Sequence, residues 1–486
     1  MKELTDWIDW KLLYLIGEWV IRVVMLLTVP RRRSPQAAMS WLLVIYLVPW
    51  LGLLLFLMIG SKKPRQWRME RHRRMLPYYK EMETWLASQD EVVLPEQDDR
   101  LADATAFVQR LGQLPALSGN KVDFYNSSDG FIDHLVEEID RARDHVHLLF
   151  YIYAVDAVGT RVSEALIKAA ERGVECRLIV DAAGSKQMLK REAGRLRDAG
   201  VQVVAAMPVG LRDRFSGRVD MRNHRKVVVI DSQVGFTGSQ NITEPSYGRA
   251  DLLWVDMMSR MQGPVVLELQ AVFVTDWHEE TGELLQGERY FRDPVPAGNG
   301  LVQIMPSAAL YPNQNYHQLI ITALYHARKR VVITTPYLIP DQSLLDAMSV
   351  AVQRGVEVML IVPEEGDQIL PQAAARSYYA EILESGVKIH LHGREQDGVR
   401  ELLHTKSMSV DGYLGFFGSS NFDIRSFEIN SEINVIFYAG DEVDRLIAQQ
   451  NIYLGQAREL YLAEWTQRHG LRRSLDSLAR LFSPLL

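Results

Sequence analysis

Cysteine is nearly absent: 486 residues carry only Cys176, so no disulfide can form within the chain. It lies in the apolar run Cys176-Arg177-Leu178-Ile179-Val180, where a buried strand position is expected. Metal-site spacing is missing too. The 12 histidines include no H-x-x-x-H pair with acidic partners, so neither a metal nor another cofactor is expected. An excess of basic charge is also lacking. The formal net charge of −7 counts against nucleic acid as the main partner. Residues 34 to 61 have no charged side chain at all, which excludes an ordinary solvated segment there.

That uncharged stretch is almost wholly apolar from Trp41 to Ile59, and about 20 such residues span a hydrocarbon core. It predicts a transmembrane helix, with Pro49 tolerated inside it. Leu12 to Val29 is a second candidate. It carries Glu18 and Arg22, four apart and able to pair on one helix face. Trp7 and Trp10 before it suit an interfacial belt. Arg31 to Arg33 follow it where a cleaved signal peptide would have small residues. A two-helix transmembrane hairpin over residues 1–60 is therefore expected. Its loop holds Arg31, Arg32 and Arg33. The flank after it holds Lys62, Lys63, Arg65, Arg68, Arg71, Arg73 and Arg74, which places the remainder in the cytoplasm. That flank reads equally as a contact with anionic membrane lipids or as a plain stop-transfer flank.

The length calls for two or three domains. Residues 61–115 are polar with helical spacing and read as a basic juxtamembrane linker packed on the body. From residue 116 strands and helices alternate. His147 to Tyr153 is a predicted strand, Val162 to Arg172 a helix and Glu175 to Asp181 a strand; Val331 to Tyr337, Leu344 to Arg354 and Glu357 to Val362 repeat the pattern. Arg172-Gly173-Val174-Glu175 matches Arg354-Gly355-Val356-Glu357, and Ala199-Gly200-Val201 matches Ser385-Gly386-Val387. The repeat is a whole α/β lobe, giving lobes at 116–295 and 296–486. From Leu471, apolar residues alternate with Arg472, Arg473 and Arg480. This amphipathic helix suits either a bilayer surface or packing on the core.

Within each lobe sits one cassette. His224-Arg225-Lys226, Asp231 and Gly238-Ser239-Gln240-Asn241 return as His404-Thr405-Lys406, Asp411 and Gly418-Ser419-Ser420-Asn421. In both copies the Asn lies 17 positions after the His. Six fixed identities, each met by chance about once in twenty positions, make a register-true double improbable as coincidence. His and Lys two apart on a strand face the same way. Ser and Asn in the following turn can donate hydrogen bonds to an anion. Two such sets facing each other make a phosphodiester site, one His attacking phosphorus while the other protonates the leaving alkoxide. Asp231 and Asp411 complete the cassettes. Five residues past Lys, an odd offset, they should turn away from the site, so a structural role is favoured for them over a catalytic one. Arg212, Arg214, Arg218, Arg222 and Arg225 suit either an anionic headgroup or a solvated loop.

The doubled motif identifies the chain as similar to the phospholipase D superfamily, and its overall layout resembles the bacterial cardiolipin synthases. The resemblance implies two phospholipase D-like lobes related by a pseudo-twofold repeat, with mixed sheets flanked by helices. It implies a carboxylate orienting each His, for which Asp256 and Glu432 have suitable spacing. It also implies phosphatidyl transfer between two phosphatidylglycerol molecules, releasing glycerol, in a multi-pass protein of the bacterial inner membrane. By the same analogy His224 is the nucleophile and His404 the acid and base, although the near-twin cassettes do not separate them. A membrane-bound phospholipase D using water is the rival reading, and homo-oligomerisation stays open.

Overall fold

The computed structural model describes residues 10–31, 33–60, 64, 66–88, 99–208, 218–311, 314–393, 395–396, 398–468 and 470–483. Trp7, Arg32, Lys62, Lys63, Arg65, Arg212 and Arg214, named above, lie outside them.

Runs of valine, isoleucine and leucine such as His145–Phe150 and Val227–Ile230 are buried along their whole length, as strands covered on both faces require. They belong to one 15-stranded sheet. From its middle outward, one half runs Leu117–Tyr125, Met258–Gln262, Val234–Gly238, Val227–Ile230, His145–Phe150, Glu175–Asp181 and Gln202–Ala206. The other runs Gly300–Ser307, Glu432–Tyr438, Leu414–Gly418, Ser407–Val410, Arg330–Thr334, Glu357–Pro363 and Lys388–His392, with Ala457–Leu460 added at its edge. Strand by strand the halves follow the same order. They meet where Leu117 pairs with Val302 and Asn120 with Gly300, antiparallel. A local twofold axis therefore passes through the centre of the sheet.

Two pairs of equivalent residues show the repeat at atomic scale. A Cβ on Gly235 would lie 2.5 Å from Leu269 Cδ1, and one on Gly415 2.9 Å from Leu446 Cδ2. In both halves only glycine lets the covering helix approach. Asp231 and Asp411 both sit at φ 52°, in the left-handed region. Asp231 accepts from the backbone N–H of Arg143, Asp144 and His145 at 2.8–2.9 Å, and Asp411 from those of Arg328, Lys329 and Arg330 at 2.7–2.8 Å. Both acids tie the sheet together away from the histidines. Of the two roles weighed for these cassette acids, the geometry favours the structural one over the catalytic one: their carboxylates are occupied by backbone donors at the start of a neighbouring strand.

Upstream, the helix Gln66–Ala87 packs on the buried helix Val265–Thr281. Arg68 reaches Glu279 at 3.2 Å and Glu280 at 2.7 Å, while Arg71 donates to the carbonyls of both. These two arginines of the basic flank are committed to the body, not to lipid. At the other end, Gly470–Arg480 packs against Ile369–Glu384, with Arg480 2.7 Å from Glu381. Leu475, Leu478, Leu481 and Phe482 nevertheless remain exposed, so the packing and surface readings each describe one side of this helix.

The N-terminal region departs from expectation. Among the described residues no helix is long and apolar enough to cross a membrane. Trp10–Thr28 is long enough but carries Lys11, Glu18 and Arg22, the last two paired at 3.2 Å as their spacing predicts. The apolar stretch expected as one spanning helix is two, Pro35–Leu47 and Pro49–Ile59, broken at Val48. A residue before proline is pushed out of helical geometry, and Val48 takes φ −137°, ψ 79°. The second helix folds back on the first. Trp41 and Phe56 ring centres lie 5.3 Å apart, whereas a straight helix would separate them by roughly 22 Å. A Cβ on Gly52 would be 2.6 Å from Ile45 Cα. Both open ends of this hairpin meet the body, with Ser34 and Ile59 lining one cavity and Val219 N–H donating to Met58 O at 3.1 Å.

The three bonds to Asp231 generate a test. Asp231→Ala should lower unfolding free energy by on the order of 3 kcal/mol, and Asp231→Asn by less, because Asn keeps an acceptor and tolerates the left-handed backbone. Thermal denaturation measures this, and turnover per folded molecule should stay unchanged. A selective loss of turnover would return Asp231 to the catalytic set.

Candidate active site

Strand Val227–Ile230 begins directly after Lys226, and Ser407–Val410 directly after Lys406, so each cassette starts at a strand end, at equivalent places in the two halves of the sheet. His224 and His404 line the same cavity, of about 720 Å³, with Asn241 and Asn421. The two cassettes thus share one site.

Each histidine is anchored in the opposite lobe. His224 N–H donates to Ser431 O at 2.8 Å and His404 N–H to Val255 O at 2.9 Å. The residue after each carbonyl is a carboxylate. His224 Nδ1 is 3.0 Å from Glu432, and His404 Nδ1 is 2.7 Å from Asp256. Parallel pairing of Leu252–Val255 with Val399–Leu403 brings the latter pair together. Asp256 therefore serves the second cassette's histidine and Glu432 the first's. This fixes Nδ1 as the carboxylate-bonded nitrogen and leaves Nε2 toward the cavity.

The serines support that arrangement instead of offering free donors to an anion. Ser239 Oγ donates to Asp256 at 2.6 Å and accepts from Met257 N–H at 3.0 Å. Ser419 Oγ makes the same two bonds, to Glu432 at 2.6 Å and from Ile433 N–H at 3.0 Å. Asn241 Oδ1 accepts from Ile152 N–H at 3.1 Å. Asn421 Nδ2 donates to Asp423 at 3.1 Å, while its Oδ1 is buried without a partner. Lys226 and Lys406 are fully buried and donate to the carbonyls of their own histidines, at 2.7 and 2.5 Å.

Burial of so much charge sets the protonation states. Burial pushes Lys226 down to about 8; burial and Lys226 together push Lys406 well below its ordinary value. Burial, then Lys406, lowers His404 to about 4. Burial likewise lowers His224, with Lys226 adding to the effect and Glu432 opposing it. For Asp256 burial acts upward, but His404, Lys406 and Ser239 outweigh it and hold the carboxyl at about 2. Burial and the two lysines thus disfavour further positive charge here, an effect that a phosphodiester anion would offset.

Of the arginines near the first cassette, Arg222 lines the cavity. Arg225 is buried, bonded to Asp276 at 2.5 Å and to the carbonyls of Glu432 and Ser307, so it joins the lobes and holds no headgroup. Arg218 pairs with Asp220. Sequence reasoning missed Arg249 and Arg425 in the cavity wall, and two aromatic neighbours. Tyr151 lies 4.8 Å from the His224 ring and Trp254 4.4 Å from that of His404. Trp254 was findable: two residues before Asp256 on an extended chain, it shares that carboxylate's face. Among the described residues no group of three or more metal-ligating side chains occurs.

Comparison with known proteins bears on the family and the fold. The family described as "Cardiolipin synthase, PLD-like domain" matches residues 135–277 and 320–451, and "Phospholipase_D-nuclease N-terminal" matches 19–61. The chain is 34% identical to cardiolipin synthase A of Serratia proteamaculans, over 99% of each chain. It is 36% identical to that of Cronobacter sakazakii, over 98% of each. In fold it is similar to a phosphatidylserine synthase of Haemophilus influenzae, with TM-score 0.60 and 15% identity, covering 80% of this chain and all of that one.

The exchanged carboxylates predict exchanged defects. Glu432→Gln should impair the attack expected of His224, and Asp256→Asn the proton transfers expected of His404, each lowering kcat by about 10²- to 10⁴-fold. A phosphatidyl ester of p-nitrophenol, whose leaving group needs no proton, separates the two: its release should fail in Glu432→Gln and survive in Asp256→Asn. If each substitution damaged the histidine of its own lobe, the exchange would be wrong.

Proposed function

We infer the reaction from one premise: this chain belongs to the cardiolipin synthase family of phospholipase D-like proteins. It is a phosphatidyltransferase that acts on phospholipid, converting phosphatidylglycerol to cardiolipin. The observation that carries the mechanism is the pair of histidines in one cavity, each held at Nδ1 by a carboxylate of the other lobe.

His224 Nε2 attacks the phosphorus of phosphatidylglycerol, and the bond from phosphorus to the headgroup glycerol oxygen breaks. His404, protonated in the complex, gives its proton to that oxygen, and glycerol leaves. His404 then takes the proton from the terminal hydroxyl of a second phosphatidylglycerol. The resulting oxygen attacks phosphorus, the P–N bond breaks, and cardiolipin departs. One phosphodiester replaces another, so no nucleotide is needed. Lys226 and Lys406 recover favourable charge when the phosphodiester enters, since its anion offsets their burial. Asn241 and Asn421 border the phosphate. His224 is the nucleophile by analogy with the N-terminal cassette of the family.

The N-terminal helices anchor the enzyme in the bacterial inner membrane. Leu12, Val20, Leu27, Leu47, Trp50 and Leu57 are exposed on their outer faces. The hairpin helices have 13 and 11 residues, about 20 and 17 Å, against a hydrocarbon core of about 30 Å. They enter the bilayer and return to the face they came from, which keeps the loop arginines and the basic flank together on the cytoplasmic side with both lobes.

Three experiments test this. Vesicles of pure phosphatidylglycerol should yield cardiolipin plus glycerol; phosphatidic acid plus glycerol would make the enzyme a hydrolase. Quenching in denaturant at alkaline pH, where a P–N bond persists, should leave a phosphatidyl adduct on His224, and an adduct on His404 would reverse the roles. For topology, Cys176 is buried, so introduced cysteines label against a silent background. Arg31→Cys and Arg73→Cys should both react with an impermeant maleimide from the cytoplasmic side. Labelling of Arg31→Cys from the opposite side would restore a spanning hairpin.

A further inference from the structure

A second cavity, of about 750 Å³, lies where the N-terminal hairpin meets the second lobe. Arg33 lines it just before the helix Pro35–Leu47, with Arg218 opposite. Arg33 Nε and Nη2 are buried and meet no hydrogen-bond partner among the described residues. The carboxylates nearby are engaged elsewhere: Glu428 accepts from Gln314 at 2.7 Å, and Asp220 from Arg218 and Arg425. Two donors of its fork are thus free among the described residues, and such a fork suits a phosphate. Burial and Arg218 disfavour its charge, while Glu428 and Asp220 favour it from a distance.

The lining also carries polar groups, among them Gln36, Ser40, Asp341 and Gln342, beside a run of apolar side chains. Met39 and Leu43 on the hairpin and Leu481 after the last helix are exposed and continue outward, while Leu345 and Phe427 form the inner wall. A charged inner end with an apolar flank open toward the membrane-facing helices matches an anionic phospholipid, headgroup inward. One segment separates this cavity from the catalytic one. Phe427, Glu428 and Ile429 face the hairpin side, whereas Arg425 and Asn430 line the active site.

We propose that this cavity is a second lipid site, holding one anionic phospholipid by its phosphate on Arg33 beside the catalytic cavity. The assignment rests on the membrane attachment inferred above and not on the transfer reaction.

Native mass spectrometry of the full chain in detergent tests it. His224→Asn prevents turnover, and phosphatidylglycerol or phosphatidylcholine serves as the probe. Two phosphatidylglycerol molecules should be retained per chain, one in each cavity. Adding Arg33→Gln should weaken retention of one of them about tenfold, the equivalent of one charge-assisted contact. Arg33→Lys should recover part of the loss. Leu345→Trp, which fills the cavity without touching the guanidinium, should also remove that lipid, so a folding defect of one variant does not decide the outcome. Millimolar inorganic phosphate should leave the retained lipid in place; displacement would mark a simple anion site and overturn the proposal. Equal retention of phosphatidylcholine, or unchanged retention in both Arg33→Gln and Leu345→Trp, would overturn it too. Wild-type cardiolipin production is measured separately. Its absence would defeat the transfer reading while leaving the lipid count intact.

Discussion

Each active-site histidine takes its carboxylate from the opposite lobe, and the rest of the site depends on that exchange. The backbone bonds from His224 to Ser431 and from His404 to Val255 place the imidazoles before any side chain is considered. The adjacent Glu432 and Asp256 then fix which ring nitrogen faces the cavity. The serines hold the carboxylates, and Arg225 joins the lobes through Asp276, Ser307 and Glu432. Catalytic geometry and lobe packing are therefore the same set of contacts. A shift of one lobe against the other would misplace both histidines at once.

The electrostatics follow from the same packing. Burial, with the two lysines adding to it, holds both histidines toward their neutral forms against the pull of Glu432 and Asp256. In the reaction proposed above, an arriving anion would reverse this, raising the proton affinity of the ring assigned as acid, so that the substrate's own charge readies the site.

The cassettes and the lobes were legible because the chemistry demands particular residues at fixed spacing, and because the chain states its plan twice. The displacement of Asp231 and Asp411 from the site followed from strand alternation alone. The exchange was not legible, because 208 and 148 residues separate the partners and no local pattern relates them. Nor was the duty of the serines, whose hydroxyls suit a carboxylate as well as a phosphate. The reversal at Val48 escaped because hydropathy sums along a chain and does not register that it turns. Pro49 was the signal for it, read as tolerated within a helix when it marks the start of a second one.

The central pairing of Leu117–Tyr125 with Gly300–Ser307, set about a local axis, has the form of an isologous contact between two copies of one subunit. Two separate identical chains in this arrangement would have to accept every substitution twice, once on each side of the axis. Fusion into a single polypeptide lifts that constraint. One side can then keep a glutamate where the other has an aspartate, or a tyrosine against one imidazole and a tryptophan against the other. The paired halves are free to become unlike, one imidazole being fitted to hold phosphorus and the other to move protons.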